Sequence, residues 1–122
     1  MPAIGSHCVL ELYDSPADVL DDPVAITRAI RVAAEAAGAT LLHTSQHRFE
    51  PHGVTALGLL AESHISVHTW PERGYAACDV FTCGEHTLPE QACEALAREL
   101  RAGRHEMRRF PRGRDVTVGP RR

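Results

Sequence analysis

From Ser6 to Tyr13 the residues alternate strictly, with Cys8, Leu10 and Leu12 on one side and His7, Val9, Glu11 and Tyr13 on the other. A period of two predicts a strand with one apolar face and one mixed face. Asp21-Asp22-Pro23 then reads as a helix start. Asp22 can accept from the free N–H groups of a first turn, and Pro23 suits the first helical position, where no N–H is needed. Ile26, Ile30, Ala33 and Ala37 recur at helical spacing, and Gly38 suits the left-handed residue that closes a helix.

Thr40 to Phe49 reads as a second strand, followed by a turn at Pro51-His52-Gly53. Val54 to Ala61 is a third, more apolar strand; Ile65, Val67 and Thr69 alternate in a fourth, which Pro71 ends; Gly74 to Cys83 is a fifth. Thr87-Leu88-Pro89-Glu90 has the spacing of a capping box ahead of a helix striped by Ala92, Leu96 and Leu100 and ending near Gly103. His105 to Phe110 reads as a last edge strand, and residues 111 to 122, rich in Arg, Gly and Pro, as a frayed tail. Hairpin-length links between the central strands predict an α+β, two-layer sandwich: a mostly antiparallel sheet with two main helices packed on one face. Nothing in the chain repeats, and 122 residues fit a single domain over 1–122.

Composition narrows the function classes. A formal charge of −3 gives no argument for a polyanion, so no nucleic-acid partner is expected. No apolar run approaches the roughly 18 residues of a membrane span, and the start has neither the basic nor the apolar segment of a signal peptide. A cytoplasmic protein is expected. Cys8, Cys78, Cys83 and Cys93 are irregularly spaced with no C-x-x-C pair, and read as reduced, mostly buried thiols.

All thirteen basic residues are arginine, since the chain has no lysine. Carbanion chemistry through a lysine–cofactor Schiff base is therefore excluded. The stretch AESHISVHTWPERGYAACDVFTCGE, residues 61–85, supplies a hydroxyl next to a peptide carbonyl, an imidazole and a thiol. The Ser63 hydroxyl in a strained turn can attack the Glu62 carbonyl and convert the amide to an ester. Removal of the serine α-proton then eliminates the Glu62 carboxylate, leaving a dehydroalanine that hydrolyses to a pyruvoyl group. Each step needs a base or donor, and His68 and the Thr55 hydroxyl are expected within reach across a hairpin. The bland alternatives are a serine that caps a turn, a solvated His68 and a buried Cys83. Metal binding has little support: no pair has zinc-finger spacing, and His64 and His68 on a strand lie about 13 Å apart. No metal is expected.

The string from Glu62 to Gly84 closely resembles the processing and active-site region of the small bacterial-type S-adenosylmethionine decarboxylases. The likeness extends through Gly5, His7, Glu11 and Tyr13, Gly38-Ala39-Thr40, His47-Arg48-Phe49 and Gly53-Val54, over roughly residues 4–110. It implies a self-cleaving proenzyme with a β chain, 1–62, and an α chain, 63–122, whose pyruvoyl group derives from Ser63. By position, His68 matches the family's processing residue and Cys83 its catalytic proton donor. Phe49 and Trp70 resemble its aromatic pair around adenine, and Glu72 its acceptor for the ribose hydroxyls. The implied activity is decarboxylation of S-adenosylmethionine to the aminopropyl donor for spermidine biosynthesis. The pyruvoyl carbonyl would form the Schiff base that lysine cannot, and Cys83 would reprotonate the product. The implied assembly is a homodimer of αβ units with sites near the interface. Two positions depart from the pattern: Thr55 where serine is usual, its methyl restricting the rotamer, and Arg73 where tyrosine is common. The competing readings are a pyruvoyl ornithine or arginine decarboxylase on the same scaffold, a non-cleaving regulatory homologue, and a metal-binding module.

Overall fold

A computed structural model describes residues 3–114 and residue 116. Its elements are β1 (Gly5–Tyr13), α1 (Ala17–Leu20), α2 (Pro23–Ala36), β2 (Leu41–Arg48), β3 (Val54–Leu60), β4 (Ser63–Trp70), a 3-10 turn (Pro71–Arg73), β5 (Tyr75–Cys83), α3 (Pro89–Glu99) and β6 (Arg104–Arg112). The strands form one six-stranded sheet in the order β2-β3-β4-β5-β1-β6, with every neighbouring pair antiparallel. This is the expected α+β architecture.

The alternation read from β1 decides which way the sheet faces. Cys8, Leu10 and Leu12 are fully buried, as are Ala76, Val80, Ile65 and Val67 on the same face of β5 and β4. Against them pack Ile26, Ile30 and Ala33 of α2 and Ala92, Leu96 and Leu100 beside α3. Each large side chain buried there stabilises by roughly 1.5–3 kcal/mol against its exposed state. Gly58 lets α2 come close, because a Cβ there would lie 2.6 Å from Cγ2 of Ile30. Asp22 caps α2 by accepting from Val24 N at 2.9 Å, and Gly38, at φ 69°, closes it as expected.

The other face carries His64, Ser66 and His68 on β4 and Ala77, Asp79 and Phe81 on β5, with no helix over it among the described residues. Leu57 and Leu59 of β3 are 45% and 49% exposed there. Candidate chemistry therefore sits on the uncovered face. The outer strands β2 and β6 are exposed, and Arg104, Arg108, Arg109 and Arg112 on β6 discourage pairing with another chain.

Nothing in the sequence signalled the short α1, which carries too few apolar positions to show a period. Three local expectations need correction. Thr87 does not form a capping box: its hydroxyl donates to Gly84 O at 2.9 Å, α3 begins from Leu88 with no side-chain cap, and Glu90 pairs with Arg109 at 2.9 Å. The end of α3 comes at Glu99, before the expected end near Gly103, and Arg101 takes a left-handed φ of 54°. β6 runs on through Arg112, so the tail starts later than residue 111; residues 115 and 117–122 lie outside the described residues. Cys8, Cys78 and Cys93 are buried, Cys83 partly so, and all four are free. No helix among the described residues is long and apolar enough to cross a membrane.

Candidate active site

Leu60 and Ser63 pair across β3 and β4, leaving Ala61-Glu62 as the link between them. Ser63 has φ 155°, a backbone conformation that side-chain-bearing residues rarely adopt. Strain of this kind costs on the order of 1–3 kcal/mol and persists only where surrounding contacts hold it. Those contacts converge on Glu62. Its carboxylate accepts from Thr40 N at 3.0 Å and from His86 Nε2 at 2.8 Å. Burial alone would raise the carboxyl's pKa, but these two donors outweigh it and hold the pKa below the ordinary value. The Glu62 carbonyl oxygen accepts from Cys83 N at 3.2 Å and from the Cys83 thiol at 3.1 Å. Two donors on one carbonyl oxygen make an oxyanion site, in which charge developing on that oxygen is stabilised without reorganisation. Across the ladder from Ser63 lies Thr82, whose buried hydroxyl finds no hydrogen-bond partner among the described residues.

A polar chain on the uncovered face leads to the same point. Asp79 accepts from His7 Nε2 at 2.7 Å and His64 Nε2 at 2.9 Å, both on Oδ2, and from the Ser66 hydroxyl on Oδ1. Burial pushes the Asp79 pKa up, but hydrogen bonds from Ser66, His7 and His64 prevail, so it lies below the ordinary value. His64 Nδ1 stands 3.4 Å from Ser63 Oγ, and Arg112 reaches His7 Nδ1 at 2.9 Å. His7, His64 and Asp79 put three potential ligand atoms within 4.8 Å of one another. Arg112 can only donate, however, so His7 carries its proton on Nε2 and gives it to Asp79. A guanidinium beside one imidazole and protons on the inward nitrogens fit a hydrogen-bond chain rather than a cation site.

The remaining sequence candidates lie elsewhere. Thr55 and His68 are register partners, with Oγ1 and Nδ1 3.2 Å apart. His68 is five residues from Ser63 on one extended strand, about 17 Å away by strand rise. The expectation that His68 and Thr55 reach Ser63 within one chain is thus not met; they reach each other. Trp70 and Glu72 line an open cleft of ≈ 650 Å³ with Tyr13, Arg73 and Tyr75. Trp70 stacks obliquely on Tyr75 at 5.4 Å between ring centres, and Glu72 faces His52 at 3.4 Å rather than Arg73. Phe49 stands edge-on to His47 at 4.7 Å and makes no ring contact with Trp70 among the described residues. Its loop is fixed by Asp21, which accepts from Gly53 N and from Arg48, each at 2.8 Å.

Sequence reasoning missed Thr40, His86, His64, Asp79 and Asp21. Only parity gave a signal: His7, His64 and Asp79 fall on the same side of three strands, but nothing local places β1 beside β5.

Comparison with known proteins places the chain in a family. The family model for S-adenosylmethionine decarboxylase matches residues 6–113. An S-adenosylmethionine decarboxylase proenzyme of Parasynechococcus marenigrum (strain WH8102) is 62% identical over 115 residues, covering 94% of this chain and 90% of that protein. A proenzyme of the same name from Methanococcus vannielii is 45% identical over 113 residues, covering 93% of each. The crystal structure of the adenosylmethionine decarboxylase from Aquifex aeolicus VF5 superposes with a TM-score of 0.87 at 33% identity, over 99% of this chain and all of that one. On its sequence and on its fold, the chain belongs to the S-adenosylmethionine decarboxylase family.

Proposed function

We propose that the chain is a proenzyme that cuts itself between Glu62 and Ser63 and then decarboxylates S-adenosylmethionine. The observation that carries this reading is the grip of Cys83 on the Glu62 carbonyl next to a strained Ser63. The products are a β chain, 1–62, a Glu62 C-terminus, and an α chain, 63–122, that starts with a pyruvoyl group made from Ser63. The residues present fit such a group: the carbonyl to be attacked is polarised, the attacking hydroxyl is adjacent, and the Thr82 hydroxyl opposite is unsatisfied. The pyruvoyl carbonyl supplies the electron sink that a chain without lysine lacks. The chain's own groups do the rest. Cys83 stands at the new α-chain start with a thiol proton to give to the product carbon. Trp70 offers a half-exposed aromatic face for adenine, and the Glu72 carboxylate two acceptors for the ribose hydroxyls. The product is the aminopropyl donor for spermidine synthesis, and the enzyme works in the cytoplasm.

The working unit is a homodimer of αβ units. Thr55 and His68 stand at one end of β4, and Ser63 and Cys83 at the other, so one chain leaves each half-site incomplete. Two uncovered sheet faces packed about a two-fold axis bring the Thr55–His68 pair of one copy toward Ser63 of the other. Leu57 and Leu59 supply apolar surface for that contact.

A denaturing gel with mass spectrometry of purified protein tests the reading. Two chains of about half length, the larger-numbered one lacking an amino-terminal serine, support it, with Ser63→Ala giving one uncut chain. A single full-length wild-type chain would favour a non-cleaving homologue.

A further inference from the structure

The geometry points to His64, oriented by Asp79, as the base that activates the Ser63 hydroxyl in the first step of self-cleavage. The inference rests on the proposed cut at Glu62–Ser63 and divides its labour differently from the sequence, which offered His68 and the Thr55 hydroxyl. His68 is about 17 Å along the strand from Ser63, whereas His64 Nδ1 is 3.4 Å from the attacking oxygen.

The tautomer follows from the partners. Asp79, held ionised by three donors, can only accept, so His64 carries its proton on Nε2 and donates it over 2.9 Å. That leaves a lone pair on Nδ1 facing Ser63 Oγ. His7 holds the same carboxylate oxygen from β1 and is itself fixed by Arg112. Serine, imidazole and carboxylate thus form a linear relay of the kind that activates hydroxyl nucleophiles, with the Cys83 N–H and thiol as its oxyanion site. His64 touches the reacting hydroxyl and is catalytic; Asp79 acts through it and is a positioning residue.

The step balances. The Ser63 O–H bond breaks as Oγ bonds to the Glu62 carbonyl carbon, and the proton passes to His64 Nδ1. The carbonyl pair moves onto oxygen, where Cys83 meets it. When the C–N bond breaks, His64 returns the same proton to the departing Ser63 amine. An amide becomes an ester with no proton gained or lost and no co-reactant. His64 then has no further part, and removal of the Ser63 α-proton falls to His68.

The test follows cleavage of pulse-labelled full-length chain on denaturing gels, with hydroxylamine added to split any ester. His64→Gln keeps a side-chain donor for Asp79 but has no basic nitrogen, and the position is 32% exposed, so the core is untouched. Loss of a general base costs roughly 10²–10⁴-fold. H64Q should therefore slow cleavage by at least about 10²-fold, and its uncut chain should resist hydroxylamine. H68A should instead accumulate chain that hydroxylamine splits. Added imidazole should speed H64A. Asp79→Asn should slow cleavage, because the acceptor that fixes the His64 tautomer loses its charge, and Asp79→Glu, which restores a carboxylate, should recover much of the rate. The other groups around His64 are His7 from β1 and, beyond it, Arg112 from β6; Leu59 and Phe81 on the flanking strands are neutral. H64Q cleaving within a few-fold of wild type, or collecting ester, overturns the role of His64 alone. Uncut wild type overturns the cleavage reading with it.

Discussion

The Cys83 thiol and backbone N–H both donate to the carbonyl oxygen of Glu62, at 3.1 and 3.2 Å. On the proposed reading, one residue thus both touches the bond cut during maturation and later protonates the product carbon. Removing the thiol leaves the N–H in place, so Cys83→Ala should slow self-cleavage without abolishing it. Loss of one donor from an oxyanion site costs about 10²–10³-fold. Once cut, the variant should retain little turnover, and mass spectrometry of the products should reveal misprotonated or transaminated side products. Cleavage at the wild-type rate would mean that the thiol contact plays no part in maturation.

Separation of His68 from Ser63 along β4 makes a subunit-complementation experiment decisive. His68→Ala and Ser63→Ala chains should each remain uncut when made alone. Made together, mixed dimers should cleave the His68→Ala chain, because its Ser63 meets an intact His68 from the other copy. No cut chain in the mixture would place the whole reaction within one protomer. Leu57→Asp, which puts a charge on the uncovered face, should shift the protein to monomer in sedimentation and slow cleavage with it.

On the proposed reading, substrate choice rests on Trp70 and Glu72. Glu72→Gln retains one acceptor but loses the charge-assisted bonds to a diol, so kcat/KM for S-adenosylmethionine should fall about 10–10²-fold while self-cleavage is unchanged. Carbon dioxide release from ornithine or arginine should be nearly absent, since neither offers an adenine or ribose to pair the site's polar groups. Release from either basic amino acid, with none from S-adenosylmethionine, would overturn the substrate and keep the mechanism.

Asp79 also sets a pH dependence of stability. Its pKa is lower in the folded chain than in the unfolded one, because the bonds from Ser66, His7 and His64 outweigh burial. Folding thus favours the ionised form, so the contribution is complete above the ordinary aspartate value near 4 and is lost as pH falls through the lower folded value. On the uncuttable Ser63→Ala background, Asp79→Asn should lower Tm most at pH above about 5, and the gap should narrow progressively as pH falls below about 4. A gap independent of pH over that range would mean that the carboxylate's charge contributes nothing.

Much was legible in the chain because it depends on local geometry. Alternation at Cys8, Leu10 and Leu12 fixes which face of β1 is buried, and the Ile26–Ile30–Ala33 stripe fixes the buried face of α2, whatever lies opposite. The Asp22 cap and the Gly38 stop are equally local. So is the adjacency of Glu62 and Ser63, which alone defines the proposed scissile bond. The Thr87 capping box failed even at this level: the hydroxyl donates to the Gly84 carbonyl, and its oxygen accepts from none of the free N–H groups at the start of α3.

What only the tertiary structure decided is which groups meet across strands. The pairing of β1 with β5 brings His7 and Asp79 together over 72 positions of sequence, and β5 beside β4 adds His64. Thr40 and His86 reach Glu62 from the two ends of different helices' connections. Period-two reading assigns a residue to a face but is silent on register and on strand order, since both depend on how remote segments bury their apolar sides together. The same extended geometry that made β4 easy to recognise sets His68 at the far end from Ser63, because a strand lengthens by about 3.3 Å with every residue and cannot fold its own ends into one site.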